Sequence, residues 1–275
     1  MGKITFIPAG GLANRMRTII AAITLSSRIG SPLRIIWFRD WALKCRFEEL
    51  FEPLVIPNVT LKEADALDLI LFDRPRRINY HIPFFFQKIL FQDCIYEQNI
   101  DNLLKSDFDF EEWASGRNVF LTSYAIFQQF PNRLYAELFH PVADLKGEIE
   151  RRCELFTSHT IGIHIRRTDN IVSINESPTE LFIKKMEEEI KEYPDTCFYL
   201  ATDSEEDKSI LRSHFGERVI TSEKKAVRDS VEGIKDAVVD LYSLSHTHRI
   251  YGSFFSSFSE TASYLNGAEL VILKQ

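Results

Sequence analysis

The sequence predicts an α/β protein with two Rossmann-like domains, on three observations. Its second half alternates short apolar runs with amphipathic helical stretches at the spacing of βα units. Its first forty residues read as strand, Gly-rich turn, helix and strand, the opening of another such unit. Between them, around His140-Pro141, the chain changes character. The 275 residues suit two domains of ordinary size, placed at 1–142 and 143–275.

Taken in order, Lys3–Pro8 is the first strand and Ala9-Gly10-Gly11 the turn. Leu12, Met16, Ile19, Ile20 and Ile23 then recur at helical spacing until Gly30 stops them. Leu33–Phe38 is the next strand. Trp41–Phe110 mixes short acidic helices with Pro53, Pro57, Pro75 and Pro83 and gives no clear order. Val119–Ser123 is a strand, and a helix begins within Pro131–Phe139. Beyond Val142 the alternation is clean. Helices over Ala143–Phe156, Thr179–Tyr193, Glu205–Phe215, Val231–Ser245 and Phe258–Leu265 separate five strands. Those strands are Thr160–Ile165, Cys197–Ala201, Arg218–Thr221, Arg249–Ser253 and Leu270–Leu273. Helices of this length between strands predict a parallel, doubly wound sheet.

Hydrophobic residues make up 45% and charged residues 27%, which excludes a disordered or collagen-like chain. A net charge of −7 argues against a dedicated nucleic-acid binder. The four cysteines are scattered without a CxxC pair, as reduced thiols of a cytoplasmic protein would be. Met1–Arg15 lacks a basic leader and a long apolar core, so no signal peptide is expected. No apolar run approaches the ~20 residues of a membrane span.

In open α/β sheets ligands sit beyond the carboxyl ends of the strands, so the residues after each strand carry the functional reading. In Ile161–Asp169, period-two alternation sets Ile161, Ile163 and Ile165 on one face and Gly162, His164 and Arg166 on the other. His164 and Arg166 therefore point the same way at the strand mouth, with Arg167 and Asp169 following. Two Arg at a crevice suit bidentate binding of a phosphate or diphosphate. A surface Arg pair bridged to Asp169 is the plain alternative. In Ser253–Glu260, Ser257 and Glu260 fit a capping box, and a helix opening after a parallel strand offers N–H groups to an anion. Thr202-Asp203-Ser204 puts an acid at a strand end, where it either accepts from a ligand or caps the next helix. Gly10-Gly11-Leu12-Ala13-Asn14-Arg15 is neither GxGxxG nor a P-loop, but still a Gly-rich turn feeding a helix.

In this order the four segments resemble the GDP-fucose-dependent fucosyltransferase superfamily, which includes α-1,2-, α-1,6- and protein O-fucosyltransferases. Gly10–Arg15 is similar to its N-terminal G-x-x-x-N-x loop and Ile163–Asp169 to its H-x-R-R-x-D segment. Tyr199–Ser204 matches its strand ending in T-D, and Ser253–Glu260 its terminal Ser-rich turn. The resemblance covers the first thirty residues and most of Val142–Gln275. It implies a GT-B-like architecture, two Rossmann-like domains with mostly parallel sheets facing across a cleft, the C-terminal one holding the nucleotide sugar.

Carried over residue by residue, Arg166 grips the diphosphate, supported by Arg167 and Asp169. His164 and Asp203 lie near the guanosine, and Ser256, Ser257 and Phe258 supply phosphate contacts. Asn14 reaches the sugar–phosphate end from the loop of Gly10, Gly11 and Arg15. The resemblance implies an inverting transfer without a cofactor or metal, two Arg and a helix end doing the electrostatic work of Mg²⁺. α-1,6-type enzymes carry a Glu where this chain has Ile174, so Glu176, Asp169 or an N-terminal residue is left as the base. The partners implied are a nucleotide-sugar donor and a glycan or lipid-linked glycan acceptor. A non-catalytic sugar-nucleotide or glycan binder on the same scaffold is the alternative.

Three other groupings compete. Asp107-Phe108-Asp109 spells D-x-D but lies in an acidic run without a preceding strand. His246 and His248 have no third ligand nearby and read as a polar turn. Arg74–Phe91 is basic, then strongly apolar. A loop and core helix account for it in a chain with 22 Phe, and contact with a membrane surface, making the protein peripheral, is the other reading.

Overall fold

Among the described residues ten strands form two sheets of five, and every pairing within them is parallel. The computed structural model describes residues 2–168, 171–224 and 230–275. The chain divides into two units, Met1–His140 and Pro141–Gln275. Among the described residues no helix is long and apolar enough to cross a membrane.

In unit 1, β1 (Lys3–Pro8) leads through Gly10-Gly11 into α1 (Leu12–Ile29), and β2 (Leu33–Trp37) follows. Gly30 closes α1 in the left-handed region (φ 63°), where a side chain would be strained. The stretch with no clear order in the sequence contains β3 (Val59–Glu63), α2 (Ala66–Leu71), α3 (Ile82–Leu90), β4 (Asp93–Ile95), α4 (Glu97–Lys105) and α5 (Phe110–Ala114). β5 (Asn118–Ser123) and α6 (Leu134–Leu138) complete the unit. The sheet order is β3-β2-β1-β5-β4. The central strands are apolar and buried on both faces, as crossover helices on each side require.

Unit 2 runs α7 (Ala143–Cys153), β6 (Thr160–Ile165), α8 (Ile171–Glu176), α9 (Thr179–Glu192), β7 (Cys197–Thr202) and α10 (Glu205–Phe215). It ends with β8 (Val219–Thr221), α11 (Val231–Ser245), β9 (Arg249–Ser253), α12 (Ser257–Asn266) and β10 (Glu269–Leu273). The order is β10-β9-β6-β7-β8, so each boundary read from the sequence lies within a few residues of the observed one. Ile161, Ile163 and Ile165 pack on Phe182 and Met186 of α9 with Phe198 and Leu200 of β7. Burying each such side chain contributes about 1.5–3 kcal/mol. On the opposite face a Cβ on Gly162 would lie 3.0 Å from Leu244 of α11 and 2.7 Å from Thr247 Oγ1 in the turn that follows it.

Two expectations change. α12 begins one residue earlier: Ser256, not Ser257, holds the extended N-cap position, and no side chain caps the helix. Phe255, at φ 56°, turns the chain just ahead of it, so the Ser257–Glu260 box does not form. α3 is not a core helix, since only Pro83 and Gln87 of it are buried.

Candidate functional site

From β6 the chain of unit 2 builds outward through β7 to β8, then returns to place β9 and β10 on the other flank. The strand order reverses between β6 and β9, the place where open parallel sheets leave a crevice for ligands. Arg166-Arg167-Thr168 follows β6 there, and Phe254-Phe255-Ser256 followed by α12 leaves β9. Ser253, fully buried, stitches the two strand ends. Its hydroxyl accepts from the Arg166 N–H (3.0 Å) and donates to the His164 carbonyl (3.3 Å). Ser177 adds a second stitch, accepting from the Phe254 N–H (2.8 Å) and donating to the Leu273 carbonyl.

Asp203, past the end of β7, organises the turn after β6. It accepts from Arg166 Nη1 (2.8 Å), the Arg167 N–H (2.7 Å) and the Thr168 hydroxyl (2.8 Å). Arg166 keeps 21% of its side chain exposed. The Arg167 guanidinium is spent on structure. It pairs with Asp207 (3.1 Å), and donates to Thr179 Oγ1 and the Arg166 carbonyl (3.0 Å each). Arg167 therefore braces the turn between α9 and α10, and Arg166 is the cation it presents.

His164 lies against the Phe258 ring of α12, centroids 4.8 Å apart and nearly parallel. Burial first, then the neighbouring Arg166, push its pKa down to about 3, so the ring is neutral at physiological pH. Its Nδ1 is buried and has no hydrogen-bond partner among the described residues. Such an atom costs stability unless something fills it. Phe258 thus packs the imidazole with its ring. The first N–H groups of α12 stay uncapped beside it. α12 sits tightly on β9 because Gly252 has no Cβ, which would fall 2.6 Å from Ser259 Oγ.

The structure gathers His164, Arg166, Arg167, Asp203 and Ser256–Phe258 at one end of one sheet. Glu176, half-buried, ends α8, which reaches the mouth through Ser173 Oγ and the Arg166 carbonyl (3.4 Å). Asp169 lies outside the described residues. Gly10, Gly11, Asn14 and Arg15 belong to unit 1. Gly10 adopts φ 83°, its missing Cβ leaving room for the Asn14 amide, whose Oδ1 is buried and, among the described residues, unpartnered. The expected ligand contact of Arg15 gives way to a structural role, because its side chain is wholly enclosed. It donates to the Gly10 carbonyl (2.9 Å), the Phe38 carbonyl (2.6 Å) and Asp40 (2.9 Å), and lies over Trp37. Burial lowers its pKa to about 10.

The competing groupings resolve locally. Asp109 caps α5 by accepting from the Glu112 N–H, and His246 bonds the Tyr242 carbonyl. Among the described residues no cluster of three His, Cys, Asp or Glu is placed to hold a metal. The sequence assigns no role to the side chains of Ser253, Ser177, Thr179 and Asp207, whose only signal is their position at strand and helix ends.

No protein-family model and no curated protein matches the chain. Solved structures do. Over 95% of this chain and 93% of theirs, the fucosyltransferase NodZ from Bradyrhizobium superposes with a TM-score of 0.67 at 18% identity. FUT1 of Arabidopsis thaliana in complex with GDP gives 0.63 at 14%, over 99% of this chain and 70% of that one. POFUT1 in complex with GDP gives 0.56 at 10%, over 99% and 98%. The chain is similar in fold to these enzymes, in agreement with the α/β, GT-B-like expectation.

Proposed function

We propose that this chain is an inverting glycosyltransferase that moves fucose from GDP-fucose to a glycan acceptor. The carrying observation is the switch point of unit 2, where a partly open Arg166, an unpartnered His164 nitrogen and an uncapped helix end meet. Likeness in fold to enzymes solved with GDP or GDP-fucose supports the same reading.

In this reading unit 2 holds the nucleotide and the acceptor falls to unit 1. The diphosphate draws Arg166 from Asp203 and lies against the first N–H groups of α12. His164, neutral, offers Nδ1 to the nucleoside. An acceptor hydroxyl forms a bond to the anomeric carbon as the carbon–phosphate-oxygen bond breaks, with the electron pair leaving on GDP. The hydroxyl proton passes to a carboxylate, for which Glu176 is the candidate. Arg166 and the helix end meet the charge developing on the diphosphate, so turnover is expected to persist in EDTA. The test is a panel of GDP-fucose, GDP-mannose and UDP-sugars scored for nucleotide release with and without glycan acceptors. Release from GDP-fucose supports the reading, whereas release from UDP-sugars alone overturns the donor assignment. GDP binding without turnover on any acceptor indicates a binding protein on this scaffold.

A further inference from the structure

α3 is amphipathic in the wrong sense for a globular helix. Its inward stripe is Pro83 and Gln87, and Gln87 spends its amide on the Asp73 carbonyl (2.9 Å). Its outward stripe is Ile82, Phe85 and Ile89, three and four residues apart on one face and 49%, 64% and 67% exposed. The approach to the helix extends that face. Ile78 and Tyr80 are more than 80% exposed, and Tyr80 and His81 both hold positive φ (50° and 56°). Non-glycine residues adopt that region at a cost, so two in succession mark a turn held by its surroundings. α2, which packs beside α3, adds Leu67 and Ile70 to the exposed apolar surface.

The charges around this face are one-sided. Arg74–Phe91 contains four basic residues and no acid, in a chain of net charge −7. Arg74 is neutralised by Asp40 and Glu97, and Arg76 by Asp73. The nearby acids of α2 are also used: Asp65 pairs with Lys62, and Asp68 with Lys62 and Arg34. Arg77 and Lys88 are exposed and, among the described residues, pair with no carboxylate; Lys88 lies over the Phe84 ring instead.

We propose that the α2–α3 face of unit 1 docks onto an anionic phospholipid surface. An exposed aliphatic and aromatic stripe with unpaired cations beside it is the pattern of a helix lying in a bilayer interface, its apolar side among the acyl chains. Arg77 and Lys88 complement the negative headgroups, an attraction that falls off within a Debye length. This inference stands apart from the proposed transferase activity, because it uses no residue of the β6–β9 mouth.

The test is flotation of the full chain with vesicles of phosphatidylcholine alone and of equimolar phosphatidylcholine and phosphatidylserine. The chain is expected to float with the anionic vesicles and to be released by high salt. Ile82→Ser, Phe85→Ser and Ile89→Ser combined should weaken binding by on the order of tenfold or more. Leu155→Ser, at an exposed apolar position of unit 2, should leave it unchanged. Arg77→Glu with Lys88→Glu, which spares the apolar stripe, should abolish the preference for phosphatidylserine. No flotation of the wild type, or flotation indifferent to the triple and charge variants, overturns the proposal. So does a dimer in light scattering that the triple variant dissociates, which would make the face a contact between two copies of this chain.

Discussion

Each unit carries an arginine in the segment that follows its central strand, and the two arginines have opposite fates. Arg15, after β1, is wholly enclosed and shared among two carbonyls and Asp40. Arg166, after β6, keeps a fifth of its side chain open and meets Asp203 across the strand ends. The sheets differ as well, β3-β2-β1-β5-β4 against β10-β9-β6-β7-β8. In unit 2 the first and fourth strands flank the reversal, whereas in unit 1 the fifth strand takes the place beside the first. Residue type and place in the βα unit are therefore not enough to separate scaffold from site. What distinguishes the two is exposure: Arg15 is wholly enclosed, whereas part of the Arg166 side chain stays open to solvent.

The largest effect expected from breaking this contrast is in stability. Arg15→Ala deletes the donors to Gly10, Phe38 and Asp40 and leaves Arg74 alone against Asp40 in a buried setting. Asp40 keeps Arg74, but the Gly10 and Phe38 carbonyls lose their partner, at about 1–3 kcal/mol for each buried group left unpaired. Denaturant or thermal unfolding should show that loss, and Arg15→Lys should not rescue it because three diverging bonds need the guanidinium fork. An Arg15→Ala protein of normal stability would remove the structural half of the comparison.

Arg166→Ala should do the reverse. The melting temperature should stay close to wild type, while transfer falls by on the order of 10²–10³ as a diphosphate contact is lost. Asp203→Ala should weaken GDP and UDP binding together, because the carboxylate orders the whole Arg166–Thr168 turn. Thermal shift with each nucleotide reads this directly, since a ligand that binds only the folded state raises the melting temperature. Near-normal turnover in Arg166→Ala would remove the functional half.

Unit 2 was legible because its helices are long and periodic and each strand is bounded by a turn residue. The alternation of Ile161–Ile165 alone puts His164 and Arg166 on one face at the strand mouth. Four features are not legible in this way. β3 and β4 are edge strands of five and three residues, too short and polar for periodicity to show. The role of Arg15 depends on Phe38 and Asp40, and that of Arg166 on Asp203. Such pairings belong to the tertiary fold and leave no local pattern. The cap of α12 shifted by one residue because Phe255 takes a left-handed conformation that nothing in its side chain announces. The apolar residues of α3 have helical spacing whichever side they face, so their pattern alone does not distinguish a core helix from an exposed one.

The smallest effect concerns pH, and it separates the two mouths without a ligand. In the unfolded chain His164 takes up a proton near the ordinary histidine value of 6.5, whereas in the folded state burial and then Arg166 hold it down to about 3. Between those values the unfolded state binds more protons, so stability falls as pH falls through that window and is fully present above it. Arg15 is also depressed, to about 10, but below that pH it is charged in both states and adds no slope. Melting temperatures measured from pH 7 down to about 4 should therefore decline less steeply in His164→Asn than in the wild type. Arg15→Lys, by the same argument, should lower the whole curve without changing its slope. Arg166→Ala should fall between wild type and His164→Asn in slope, since it removes the second cause of the histidine shift and leaves burial in place. A wild-type slope retained in His164→Asn would mean that the ring is not held neutral beneath Phe258, and the mouth of β6 would lose the feature that most distinguishes it from that of β1.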